Sequence, residues 1–189
     1  MIQRGVTPET ALSVVPLPPR PGLYLILGPR DLVPWALQTI TLAFPAKPVF
    51  WIDAANQCDA HLVSIAARCA YQDPVAALKA FRPARPFTAY QLEAMVTQKL
   101  QPTVQRIQAF FSVIADPLSL YEGAEGRDTQ VRQSFRRFMQ GVREASVKTP
   151  VVVLIPEPGP QRYLPELLHA ATWRRRLEDV GQRRRLVEA

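Results

Sequence analysis

Four short runs of the chain are apolar almost throughout: Leu23 to Leu27 within GLYLIL, Val49 to Asp53 (VFWID), Phe110 to Ala115 (FFSVIA) and Val151 to Ile155 (VVVLI). Unbroken apolarity over strand length, instead of alternation, is the pattern of a strand buried on both faces. Between the runs the apolar residues recur at helical spacing. Gly28-Pro29-Arg30-Asp31 reads as a turn, and Pro34 suits the first turn of a helix reaching about Phe44. Asp59 caps a helix carrying Leu62, Ile65, Ala66 and Cys69, and a short helix spans Pro74 to Ala80. An extended piece near Arg85 to Phe87 leads to Thr88, which caps a helix containing Leu92, Met95, Val96 and Leu100. A loop from Tyr121 to Gly126 precedes a long helix from about Asp128 to Val147. Val131, Phe135, Phe138 and Val142 line one face of that helix, with Arg132, Arg136 and Arg143 largely opposite. The basic segment with Arg174-Arg175-Arg176 and Arg183-Arg184-Arg185 has two open readings, a basic helix or a hairpin around Asp179 to Gln182. The hairpin is preferred. Apolar strands alternating with helices predict an α/β fold, a mostly parallel central sheet covered on both faces.

Composition adds limits. The 189 residues are 48% hydrophobic and 21% charged, which permits a packed soluble core and excludes a disordered tail protein. No apolar run approaches the roughly 18 residues of a membrane span, and the N-terminus lacks the layout of a secretory signal. Two cysteines, Cys58 and Cys69, are too few for a disulfide scaffold, and no Cys or His spacing suggests zinc. The expectation is a cytoplasmic protein with no membrane partner. Residues 1–21 end in Pro16-Leu-Pro-Pro-Arg-Pro21 and read as a stiff lead-in to one domain over residues 22–189. Nineteen prolines against 8 glycines disfavour glycine-rich phosphate loops. Lys plus Arg is 23 against 16 Asp plus Glu, a formal net charge of +7 that permits binding to nucleic acid. Most of the cationic charge is arginine, whose planar fork suits phosphate.

An ordered series of blocks resembles the RecA-like recombinases of the archaeal RadA type, from about Gly22 to Ala189. VFWID followed by Asp59-Ala-His-Leu-Val-Ser-Ile-Ala-Ala-Arg68 resembles their second strand and helix. Arg82-Pro-Ala-Arg-Pro-Phe-Thr-Ala-Tyr-Gln-Leu92 looks like the passage that follows. Ser112-Val-Ile-Ala-Asp116 sits where their Walker B strand ends, and Val131-Arg-Gln-Ser-Phe-Arg-Arg-Phe138 resembles the helix after their first DNA-binding loop. His169-Ala-Ala-Thr-Trp-Arg174 and the basic stretch after it resemble their closing hairpin. The resemblance implies a RecA-like three-layer sandwich with a C-terminal β-hairpin.

The departures from that family bear on function. A phosphate loop needs GxxxxGK[ST], whose amides, lysine and hydroxyl hold the phosphates and Mg²⁺. Counting from Gly28, this chain has Val33, Pro34 and Trp35 where Gly, Lys and Ser or Thr belong. Ala54-Ala55-Asn56 stands where the family places the glutamate that activates water. The resemblance therefore implies a vestigial nucleotide pocket, marked by Gly28, Arg30, Asp53 and Asp116, with no cofactor, no metal and no ATPase activity. Asp53 and Asp116 are expected to serve structure, Asp116 by ending a strand or starting the Asp-Pro turn. Trp35 is expected to fill the lost phosphate cavity. His61 and His169 lack any spacing for catalysis, and both cysteines are read as buried or semi-buried small residues.

For nucleic acid, the candidates are Arg127, Arg132 and Arg136 beside the Glu122 to Gly126 loop, with Arg137 nearby and Arg174 and Arg176 on one face of the hairpin. A solvated helix face and contact with single-stranded DNA are both open readings of these arginines. Glu122, Glu125 and Asp128 oppose phosphate in the same neighbourhood, and Tyr121, Trp173 and Tyr163 are the candidate stacking platforms. The expected function is that of a catalytically silent RecA-like accessory factor in DNA recombination or repair, binding single-stranded DNA weakly. The alternative is an interaction subunit that docks on an active RecA-fold ATPase without touching DNA. Partners are thus single-stranded DNA and either a RecA-fold protein or further copies of the chain.

Overall fold

The unbroken apolar runs can satisfy their backbone groups only by pairing with one another, and they do so in a single sheet. The computed structural model describes residues 20–43, 47–124, 126–159, 162–180 and 183–188. Most of the proline-rich lead-in, Glu125 and the side chains of Arg183, Arg184 and Arg185 lie outside the described residues. The strands are β1 (Gly22–Gly28), β2 (Val49–Asp53), β3 (Phe81–Ala84), β4 (Phe111–Ala115), β5 (Pro150–Pro156), β6 (Trp173–Val180) and β7 (Arg183–Glu188). Their order across the sheet is β3-β2-β4-β5-β1-β6-β7. Neighbours are parallel throughout, except that β6 and β7 pair antiparallel. All five residues of β2 and of β4 are buried, as two-sided cover requires.

The helices are α1 (Leu32–Ala43), α2 (Ala60–Cys69), α3 (Pro74–Ala80), α4 (Ala89–Ala94), α5 (Leu100–Ile107), α6 (Pro117–Glu122), α7 (Asp128–Ser146) and α8 (Leu164–Ala170), with a π-helical turn at Met95–Lys99 joining α4 to α5. Crossovers toward the β3 edge carry α1, α2 and α3. Their Val33, Trp35, Leu37, Val63 and Ala77 pack with Trp51, Val113 and Leu154 on one face. Crossovers in the other direction carry α4, α5, α7 and α8, whose Leu92, Val104, Phe135, Phe138 and Leu167 pack with Leu25, Ile52 and Val153 on the opposite face. That segregation is what a single hand of crossover produces. The result is an α/β fold with helices on both sides of a mostly parallel sheet.

Local chemistry sets the helix ends. The carboxylates of Asp59 and Asp73 accept from the amides of His61 (2.7 Å) and Val75 (2.9 Å), and Thr88 Oγ1 accepts from Gln91 N at 3.1 Å. Several boundaries differ from the sequence expectation. The extended piece at Arg85 to Phe87 is not the strand. That strand is Phe81–Ala84, because the Phe81 ring packs 5.4 Å from Trp51 while Arg85 turns away to pair with Asp53. Phe110 lies outside β4 and is 42% exposed, with the Lys47 ammonium 5.6 Å from its ring centre. The helix begun at Thr88 contains Leu92, Met95, Val96 and Leu100 as expected and continues to Ile107. The wider π turn displaces the carbonyls that the Pro102 ring would otherwise strike. Gly141 lets α7 approach that turn, since a Cβ there would lie 3.0 Å from Val96 Cγ1 and 3.2 Å from Thr97 Cγ2. Tyr121 and Glu122, expected in a loop, end α6, and α8 was not anticipated. Cys69 is exposed where a semi-buried residue was expected, whereas Cys58 is buried.

Candidate functional site

In parallel α/β sheets, ligands gather at the carboxyl ends of strands where neighbouring crossovers depart in opposite directions. Two such points lie along this sheet: between β2 and β4, and between β1, which leaves toward the β3 edge, and β5, which leaves toward the β7 edge. The last residues of β1 and β5, Gly28 and Pro156, are register partners. The crevice is filled from both sides. A Cβ on Gly28 would lie 2.9 Å from Leu177 Cβ and 3.2 Å from Leu32 Cδ1, so glycine is required for close approach of β6 and not for a bound group. Leu32 and Val33 are wholly buried, and Trp35 nearly so. Glu157 N donates to Gly28 O at 2.6 Å, and Arg176 Nη2 donates to Glu157 Oε1 at 3.1 Å across the top. Arg30 is exposed on the adjoining turn.

The two aspartates reach the same edge and are used differently. Asp53 is 0% exposed, and its carboxylate accepts from Gln57 N (2.9 Å), Cys58 N (2.9 Å) and Arg85 Nε (3.1 Å). Arg85 Nη2 also donates to Cys58 O at 2.5 Å, so the loop after β2 is clamped to the loop after β3. Burial, aided by the Asp53 charge, pushes the Cys58 thiol up to about 11, far from a reactive thiolate. Asp116 begins α6 in the left-handed region (φ 47°), with its N–H donating to Leu154 O at 2.8 Å and its C=O accepting from Ser119 Oγ at 2.9 Å. Its Oδ1 has no hydrogen-bond partner, and burial holds the carboxyl above its ordinary range. Among the described residues, no group of three or more His, Cys, Asp or Glu could hold a metal ion, and no helix is long and apolar enough to cross a membrane.

The arginines separate into two places. Arg127 precedes α7, and Arg132 and Arg136 stand on its exposed side, opposite buried Val131, Phe135 and Phe138. Arg174 and Arg176 project from β6. There Arg176 is paired with Glu157, and Arg175, on the other face, stacks 4.4 Å from the Trp173 ring centre. Arg137, on α7, pairs with Glu93 at 3.5 Å.

Beside α7 the chain adds a residue that spacing does not single out. Arg162, just before α8, donates through Nη2 to Asp128 Oδ1, and its backbone N–H donates to Glu122 Oε1 at 3.1 Å. Arg132 Nε donates to Asp128 Oδ2 at 2.8 Å. The hydrogen bond from Arg162, with Arg132 alongside, holds the Asp128 carboxyl below the usual range. Arg132, Arg136, Arg162, Tyr163 and Glu166 line a cavity of about 140 Å³ between α7 and α8.

Two expected stacking platforms are withdrawn from solvent: Tyr121 is 2% and Tyr163 3% exposed, both packed on Phe135. Exposed aromatic surface is instead supplied by Phe87 (71%) and Tyr90 (41%). They line a groove of about 320 Å³ with Ala89, Leu120 and Ala124. Tyr90 Oη lies beside Gly126, so this groove adjoins the start of the arginine helix. A readable signal existed: Ala89, Leu92 and Val96 set the buried phase of the helix, and Tyr90 falls outside it.

Neither a scan against protein-family models nor a search of curated proteins finds a match to this chain.

Proposed function

We propose that this chain is a catalytically silent RecA-like protein that binds single-stranded DNA weakly, as an accessory factor in DNA recombination or repair. The observation that carries the proposal is the pairing of Arg127, just before α7, and Arg132 and Arg136 on its exposed side with the Phe87–Tyr90 groove next to its first turn. Cations that follow a backbone, set beside aromatic faces that accept any base, are the two components of sequence-tolerant single-strand binding. Silence is supported by the crevice at Gly28. Leucine side chains occupy the space that phosphates would need, and neither a lysine nor a hydroxyl stands at Pro34 and Trp35. The residues present do not fit a nucleotide's phosphates, and no hydrolytic step is assigned to them.

Strand binding is tested by fluorescence anisotropy of a labelled oligonucleotide at low salt, comparing the parent with Arg132→Ala/Arg136→Ala. Each lost phosphate contact removes a released counterion, so the double variant binds more weakly and with a salt slope smaller by about 2. Equal binding by parent and variant, or no binding by the parent, transfers the proposal to a subunit that docks on an active RecA-fold ATPase.

A further inference from the structure

The cavity between α7 and α8 has properties that a solvated arginine face does not require. Tyr163 lines it and is 3% exposed, yet its hydroxyl has no hydrogen-bond partner among the described residues. The ring itself is fixed: Phe135 lies 4.4 Å from it, Tyr121 lies 5.9 Å away edge-on, and the Arg162 guanidinium carbon is 5.2 Å from its centre. The surrounding cations are also incompletely used. Arg136 makes no hydrogen bond or ion pair among the described residues. Arg132 commits its Nε to Asp128, and Arg162 commits one Nη to the same carboxylate, so each retains further donors. Asp128 thereby holds two of the three guanidinium groups in place at the mouth of one small space.

We propose that this cavity is a binding site for a single phosphate group, held by Arg136, Arg132 and Arg162. At about 140 Å³ it falls below the roughly 300 Å³ at which pockets for whole drug-sized ligands begin, so it takes one oxyanion and not a nucleotide. Arginine forks match phosphate oxygens in pairs. Glu166, the remaining lining side chain, opposes the anion and sets the affinity low. The site shares Arg132 and Arg136 with the DNA reading but does not depend on it, because free phosphate and the terminal phosphate of a strand present the same oxygens.

The test is a titration of the full chain with inorganic phosphate against sodium chloride of equal ionic strength, read by thermal shift and by calorimetry. The parent is stabilised by phosphate at millimolar concentration. Arg136→Gln, which breaks no described contact, weakens binding by about tenfold or more, as loss of a charge-assisted hydrogen bond does. Glu166→Gln tightens it. A parent that responds to phosphate no more than to chloride overturns the site, as does a response that survives Arg136→Gln or falls on Glu166→Gln. Oligonucleotides with and without a 5′-phosphate then separate the sources. Preference for the phosphorylated strand assigns the site to a chain end, and equal binding of the two strands alongside phosphate capture assigns it to the free ion. Loss of strand binding with phosphate capture intact overturns only the DNA reading.

Discussion

The crevice at β1 and β5 and the cleft between α7 and α8 differ in how their polar groups are used. Along the carboxyl edge of the sheet Asp53, Glu157 and Arg176 all have partners inside the protein, and Asp116 Oδ1 does not. Asp53 accepts three hydrogen bonds, Glu157 bridges Gly28 and Arg176, and two leucines close the remaining space. Around the cleft, Arg136 and the Tyr163 hydroxyl have no described partner, and two further arginines retain unused donors. Saturated groups next to filled space stabilise a fold. Unsaturated groups next to open space are available to a ligand. On the proposed reading the crevice serves structure, and binding falls to the helical layer.

The most severe disruption of the saturated side is Asp53→Ala. It strands the amides of Gln57 and Cys58 and the Arg85 guanidinium, at a cost of about 3–5 kcal/mol in urea unfolding. Loss of well under that amount would mean that solvent reaches the clamp. Gly28→Ala is next, at about 1–3 kcal/mol, because its methyl group meets Leu177 Cβ. Measured in a Leu177→Ala background, the same substitution should cost much less. If the two effects simply add, the crevice is not closed by that contact.

A smaller effect separates Asp116 from Asp53 by its pH dependence. Burial raises the Asp116 carboxyl above its ordinary value of 3.8, so the folded state binds this proton more tightly than the unfolded chain. Stability therefore falls as pH rises through the window between 3.8 and the raised value, and the penalty is complete above that window. Asp116→Asn, which retains a side chain tolerated at positive φ, raises the urea midpoint at pH 7. The gain disappears once the pH is below 3.8. A gain that persists at low pH would point to a cause other than ionisation.

The sheet was legible because two-sided burial writes an unbroken apolar run, which is how β1, β2, β4 and β5 were found. Thr88, Asp59 and the Val131-Phe135-Phe138-Val142 stripe were equally readable, since caps and helical phase are local. Phe81–Ala84 was displaced in the reading because Arg82 and Pro83 hide a four-residue edge strand. The π turn within the helix that Thr88 begins leaves no mark in composition. The cleft was half legible. Arg132 and Arg136 follow from the helix phase, but Arg162 and Tyr163 lie about thirty residues away, and the packing of α8 on β1 brings them to α7. The aromatic platforms were misplaced for a related reason: burial of Tyr121 and Tyr163 is a tertiary property, whereas Phe87 and Tyr90 are exposed by their phase beside the cap.

The account rests on one region that is closed to nucleotide and another that binds by charge, and a single experiment addresses both. Single-stranded DNA is titrated with the full chain at two salt concentrations, each with and without ATP and Mg²⁺. The account predicts weak binding that falls steeply with added salt and is the same whether ATP is present or absent. Binding that requires ATP, or no binding even at the lower salt, would contradict it.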